Sequence, residues 1–447
     1  MRILLVSSEV APLASSGVIG KEVGELGRAL RDLGHEVSAV IPCYREARER
    51  GKLRKTGVKF NVPVGTETCS CQILETTTDG LQVFLVRRDE FFDRSGMYGN
   101  AEGDYQDNAA RFIFFTKAAV ELARRMDPAP EVVHANGWQS ALTPLYIRES
   151  QLTIPVALSP RGLEFQGNFW SYDFGLTNLP ASYFSAQGIE FFGSMNFLKG
   201  GILFSQAVVL PGELAAGACQ DRTYGQGLHQ VLRENNYKIV GIPEPEPKPF
   251  SQTKSPKSPF PWETPGSGKD VLVIGSATRG SGSLFGTLDQ IVPAGARVGM
   301  IGPVVAEERS QFEFARRKHA PAFVFHEELD ADAVDAALAT ADFLLLPDAA
   351  DPFQPWLDRA LAAGVVPVAK QCLGLNQYVE PRRAGAGNGF VFWQDGIPAL
   401  ADIMYEAFAT SPGEREEISK LCKAKTVTRR RSAEAHSRLY ERLLAST

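Results

Sequence analysis

The sequence predicts an α/β protein of two domains, each a mostly parallel sheet covered by helices on both faces. Three observations predict it. Short apolar segments alternate with amphipathic helical segments over the first 242 residues, a proline-dense stretch then breaks the pattern, and the alternation restarts at Asp270. Strands buried on both faces read as continuous apolar runs, and their alternation with helices marks a parallel sheet.

Residues 3–6 read as the first strand, and residues 20–33 as a helix with Val23, Leu26, Leu30 and Leu33 on one face. A strand at 35–42 follows, then a β-rich region at 58–86, a long helix at 107–125, a strand at 132–135 and a helix at 139–149. Pro243, Pro245, Pro247 and Pro249, followed by Pro256, Pro259, Pro261 and Pro265, forbid helix and ladder pairing and favour extended backbone. Residues 243–269 therefore read as a linker between domains at 1–242 and 270–447. Beyond it, strands fall at 271–274, 298–301, 323–325, 343–346 and 365–368. Helices include 307–317, 331–341 and 355–363. An amphipathic helix at 432–444 closes the chain after the second domain. This order fits the glycosyltransferase-B architecture, two Rossmann-like domains facing a cleft, with ligand at the carboxyl ends of the strands.

Composition narrows the function. With 447 residues, 44% of them hydrophobic, the chain is long enough for two cores. A net charge of −5 argues against broad contact with nucleic-acid phosphates. The basic run Arg429, Arg430, Arg431 reads as the solvated start of the terminal helix. Cys69 and Cys71 alternate along a strand, a spacing that suits neither a zinc knuckle nor a disulfide framework. The six scattered cysteines read as reduced, buried thiols in a cytoplasmic protein. The apolar N-terminal run is too short for a secretion signal, and no stretch approaches the ~18 apolar residues of a membrane span.

Short motifs then sharpen the reading. They include Ser8-Glu9-Val10-Ala11-Pro12 with Gly17, Gly20 and Gly24, and Phe92-Asp93-Arg94-Ser95-Gly96-Met97-Tyr98-Gly99. Further along stand Asp104-Tyr105-Gln106-Asp107-Asn108 with Arg111-Phe112, and Val132-Val133-His134-Ala135-Asn136-Gly137-Trp138. Glu190-Phe191-Phe192-Gly193, Asn196-Phe197-Leu198-Lys199 and, past the linker, Asn388-Gly389-Phe390-Val391-Phe392 complete the set. In this order they resemble the bacterial glycogen synthases and plant starch synthases over nearly the whole chain. The resemblance implies a retaining transferase that moves glucose from ADP-glucose to an α-1,4-glucan, with no metal or other cofactor. It places the acceptor side on the first domain and the donor side on the second.

The same resemblance exposes departures at the donor site. The family's Lys-Thr-Gly-Gly-Leu loop is here Ser15-Ser16-Gly17-Val18-Ile19, so Ser15 stands for the lysine. His134 matches the start of a His-Ala-His-Asp-Trp motif in which Gly137 replaces the aspartate. His134 and Asn136 either line the cleft or are satisfied strand-end residues, and Asp107 with Asn108 either touch a sugar or cap and pack the long helix. Ser159-Pro160-Arg161-Gly162 stands where the family has Thr-Ile-His-Asn. In the second domain, Ser276 and Ser281 occupy the places of the arginine and lysine that hold the leaving diphosphate. Arg279 in the same loop either substitutes for them or is solvated. Asp351 keeps the charge of the family's sugar-binding glutamate, and Pro355 removes a backbone N–H. Losing one preorganised stabiliser of transition-state charge typically costs ~10²–10³ in rate. The expected function is a glycogen or starch synthase-like transferase with altered or impaired donor use. The alternative is an inactive member that binds glucan or regulates an active synthase, and a weaker third reading is another cleft enzyme, such as an epimerase.

Overall fold

The computed structural model describes residues 1–16, 18–100, 102–243, 258–261, 269–274, 281–302, 304, 308–327, 329, 331–347, 356–372 and 374–446. The chain divides into two compact units, Met1–Pro245 with Thr428–Thr447, and Glu246–Val427.

The first unit contains β1 (Arg2–Ser7), α1 (Val18–Asp32), β2 (Glu36–Pro42), β3 (Arg54–Val64), β4 (Glu67–Thr78) and β5 (Leu81–Arg87). Next come α2 (Asn108–Arg125), β6 (Val132–Asn136), α3 (Thr143–Glu149), β7 (Val156–Ser159), β8 (Asn168–Phe169), β9 (Glu190–Phe191), β10 (Ser194–Asn196), α4 (Phe197–Phe204), β11 (Ala207–Leu210) and β12 (Ile239–Gly241). Nine strands form one sheet in the order β12-β11-β7-β6-β1-β2-β5-β4-β3. Every pair from β12 to β5 is parallel, and β4 and β3 add an antiparallel edge. The central strands are apolar because helices cover both faces: Leu4, Leu5, Val133 and Leu158 are fully buried.

The second unit contains β13 (Asp270–Ile274), α5 (Ser281–Ile291), β14 (Arg297–Ile301), α6 (Arg309–His319), β15 (Phe323–His326), α7 (Ala331–Thr340) and β16 (Phe343–Leu346). It continues with α8 (Leu357–Ala363), β17 (Val366–Lys370), β18 (Phe390–Phe392), α9 (Ile397–Phe408) and α10 (Pro412–Ala424). Its six strands run β15-β14-β13-β16-β17-β18, all parallel. That is the doubly wound Rossmann order, with the switch between β13 and β16.

Three features depart from the sequence reading. The helix expected at 139–149 is a 3₁₀ turn at Trp138–Ser140 followed by α3, because Pro144 suits a first helical turn and not an interior. Part of the proline-rich stretch is docked: Phe260 is buried, and its ring lies where a Cβ on Gly299 of β14 would come within 2.5 Å. The terminal helix, α11 (Arg429–Ala445), was expected with the second domain and packs instead on the first unit, against α1. Its basic start is capped by Thr428, and Arg429 pairs with Glu25 of α1 at 3.0 Å. All six cysteines are buried, and none is joined in a disulfide.

Candidate functional site

The strand order of the first unit reverses between β1 and β6, the place where doubly wound sheets open a crevice at their carboxyl ends. The register sets Ser7 beside Asn136 and Asn136 beside Ser159, one polar row across the ends of three apolar strands. All three residues are buried.

Arg161 follows β7 with φ 60°, a left-handed conformation that is costly for a side chain of this size. Its side chain is 2% exposed. Nε and Nη2 donate to Asn136 Oδ1 at 3.2 and 2.9 Å, and Nη1 donates to Glu22 Oε2 on α1 at 3.1 Å. Asn136 Nδ2 donates to the carbonyl of His134 at 2.9 Å. Of the two roles the sequence left open for Asn136, its amide oxygen therefore takes the satisfied one, facing a cation of the same chain.

His134 is fully buried, one residue pair deeper in β6. Its Nδ1 lies 2.7 Å from the Tyr440 hydroxyl of α11, and its Nε2 lies 2.9 Å from Ser159 Oγ. Burial, reinforced by His436 and Arg161, pushes the imidazole pKa well below 6.5, so the ring is neutral. Gly137 has φ 77°, and a Cβ there would come within 2.7 Å of Gln139 Oε1. That buried oxygen has no hydrogen-bond partner among the described residues.

On the loop after β1, Glu9 accepts the backbone N–H of Ser16 at 2.7 Å and its hydroxyl at 2.8 Å. The Tyr98 hydroxyl donates to Glu9 at 2.5 Å and lies 2.8 Å from Ser8 Oγ. Burial first, and Glu9 second, raise the Tyr98 pKa well above 10, which keeps it a donor. Ser15 stands close against Gly20 on the first turn of α1.

Asp107 lies apart from this row. It accepts two hydrogen bonds from Arg94, at 2.7 and 2.6 Å, and that guanidinium sits over the Tyr105 ring at 4.8 Å. Its neighbour Asn108 is buried, donating to the Tyr98 carbonyl and accepting from Arg111 at 2.6 Å. Arg111, also buried, donates to the carbonyls of Phe91 and Met97. These residues pin the 91–98 segment, and through Tyr98 they reach Glu9.

Of the other sequence candidates, Ser281 is the first residue of α5. Gly17, Ser276, Arg279 and Asp351 lie outside the described residues. Ser276 and Arg279 follow β13, and Asp351 follows β16, the two strands that flank the switch of the second sheet. The sequence reading did not single out Arg161, Glu22, Tyr98 or Gln139 as site residues. A changed residue just past a strand was the only signal for Arg161, and no spacing rule links it to Glu22.

Residues 2–234 match the family model of the starch synthase catalytic domain. The chain belongs to that family. The glycogen synthase of Opitutus terrae is 36% identical over 251 residues, which cover 54% of this chain and 52% of that protein. The chain thus spans about half the length of that relative in the alignment. The glycogen synthase of Moorella thermoacetica is 27% identical over 99% of this chain and 97% of its own. The catalytic domain of starch synthase IV from Arabidopsis thaliana, solved with ADP and acarbose, superposes at TM-score 0.83 with 20% identity, covering 99% of both chains. Sucrose-phosphate synthase from Thermosynechococcus elongatus superposes at 0.64 with 14% identity over the whole of both. The starch synthase-family chain therefore has the glycosyltransferase-B fold. Among its described residues no group of three or more His, Cys, Asp or Glu is placed to hold a metal ion. No described helix is long and apolar enough to cross a membrane.

Proposed function

We propose that this chain is a glycogen or starch synthase-type glucosyltransferase whose use of the sugar-nucleotide donor is altered or impaired. In the reaction implied by the family, the bond from glucose C1 to the nucleoside diphosphate breaks and a bond to O4 of an α-1,4-glucan end forms. The acceptor proton leaves with the diphosphate, and the anomeric configuration is retained. Such a step needs fixed cations aimed at the departing charge. The observation that carries the proposal is the buried Arg161, which stands at the switch point and is engaged by Glu22 and Asn136. A guanidinium held by a carboxylate of its own chain offers little net field to a diphosphate. The serines at 15, 276 and 281, in place of the family's cations, point the same way.

Calorimetric titration with ADP-glucose, ADP and UDP-glucose, paired with glucosyl incorporation into glycogen, tests this. Feeble binding and slow turnover are expected, with turnover rising about tenfold or more when Ser276→Arg and Ser281→Lys restore the charges. Tight, saturable binding with turnover indifferent to those substitutions would overturn it.

The same buried ion pair favours a second reading, a non-catalytic member that binds α-glucan or partners an active synthase in the cytoplasm. A protein that ignores every nucleotide, yet is retained by glycogen or an active synthase, is its expected signature.

A further inference from the structure

Residues 163–197 leave the sheet of the first unit and form a small three-stranded sheet, β8-β10-β9, with an unusual surface. Trp170 is 67% exposed and Tyr172 is 76% exposed, with ring centroids 4.4 Å apart. Phe169 packs inward on Trp138 and Phe197, so its neighbour Trp170 faces out. Across the sheet, β9 and β10 join in a two-residue turn, Phe192-Gly193, in which both residues have positive φ, 49° and 80°. Asparagine and glycine favour such turns. A phenylalanine there is strained, and at 87% exposure its ring gains nothing from the core. Strain at an exposed aromatic is a pointer to function rather than to folding.

The register relates the two edges. Phe169 pairs with Met195 and Phe191 with Ser194, so Trp170 and Phe191 flank the same stretch of β10. Two strand spacings separate them, about 10 Å, a length that a few linked hexose rings bridge.

The chemistry of the surface selects the ligand. No Lys or Arg occurs from 162 to 198, which disfavours phosphates and nucleic acid. The large hydrophobic residues exposed here, Phe165, Trp170, Tyr172 and Phe192, are all aromatic; the exposed leucines, Leu214 and Leu421, lie elsewhere. Protein interfaces enrich Met and Arg beside their aromatics, and this segment exposes neither, its one methionine, Met195, being buried. Rigid, uncharged rings with negative faces match the polarised C–H faces of pyranose rings, and the carboxylates beside them, Glu164, Asp173 and Glu190, can accept from sugar hydroxyls.

We propose that Trp170, Tyr172 and Phe192 form a surface platform that binds an α-1,4-glucan chain, apart from the carboxyl-end row at Asn136. The proposal rests on the reading of this chain as a glucan-acting protein and names a second place where that glucan is held.

The test uses the full chain, without nucleotide, titrated with maltoheptaose and β-cyclodextrin by calorimetry and tryptophan fluorescence. The Trp170→Ala/Tyr172→Ala double variant and the Phe192→Asn variant are compared with it. Each variant is expected to lose about tenfold in affinity. Phe192→Asn is also expected to hold or raise the melting temperature, because an Asn-Gly turn suits the backbone. Wild-type affinity in these variants would overturn the platform, as would a wild-type protein that binds neither sugar. So would sedimentation showing that the patch joins two copies of the chain while glucan binding is untouched. Nucleotide titration on the same samples reports separately on donor use, so failure of one reading is not mistaken for failure of the other.

Discussion

At the carboxyl end of the first sheet, the decisive residues carry opposite charges across a long stretch of sequence. Arg161 and Glu22 are nearly buried, with side-chain exposures of 2% and 15%. Breaking a buried pair by removing one partner typically costs about 3–5 kcal/mol. Arg161→Ala is expected to destabilise the first unit by that order, read as a lower urea midpoint; a change below about 1 kcal/mol would show that the ion pair contributes little. His134 makes a second prediction. Its folded pKa lies below the ordinary 6.5, so the unfolded chain binds the extra proton more readily. By linkage, its contribution to stability is intact above pH 6.5 and is lost as the pH falls below that value. Urea midpoints measured between pH 7.5 and 5 should drop more steeply in the native protein than in His134→Gln, and parallel curves would refute this.

At the scale of elements, strands were the most legible part of the sequence, because burial on both faces leaves an unbroken apolar run. The strand read at 343–346 coincides with β16, and the one read at 132–135 differs from β6 by a single residue. Helix ends were less legible: periodicity ran through Pro144, whereas the backbone restarts there as α3. The docked Phe260 was legible only as part of a proline-rich linker, since nothing local says that an aromatic side chain will find a glycine on a strand. Gly299→Ala places a methyl 2.5 Å from that ring. Overpacking of this kind costs about 1–3 kcal/mol. Circular dichroism melts should show the loss in Gly299→Ala and relief when Phe260→Leu is added. Additive losses in the double variant would mean that the two residues do not conflict.

For the whole molecule, the terminal helix is the main revision. Leu439 and Tyr440 are buried in the first unit, and the Tyr440 hydroxyl satisfies His134 from 306 residues away. Burying two or three such side chains contributes on the order of 5 kcal/mol. A chain ended at Val427 should therefore melt at a lower temperature, with Trp138 fluorescence reporting early loss of the first unit. An unchanged melt would mean that α11 is dispensable to that unit.

The sequence by itself determined the α/β class, the position of several central strands such as β1, β6 and β16, the proline-dense break and the family, because each is encoded in local periodicity or in short contiguous motifs. It also offered Ser15, Ser276 and Ser281 as the positions on which the proposal of altered donor use turns. Tertiary structure alone decided that Arg161 meets Glu22 and Asn136, that His134 is sealed by Tyr440, and that α11 returns to the first unit. Those pairings join residues far apart in the chain, and their energies come from burial, where an unpaired charge or amide is penalised and a paired one is tolerated. No pattern of neighbours carries that information; only the packing of the sheet against its helices does.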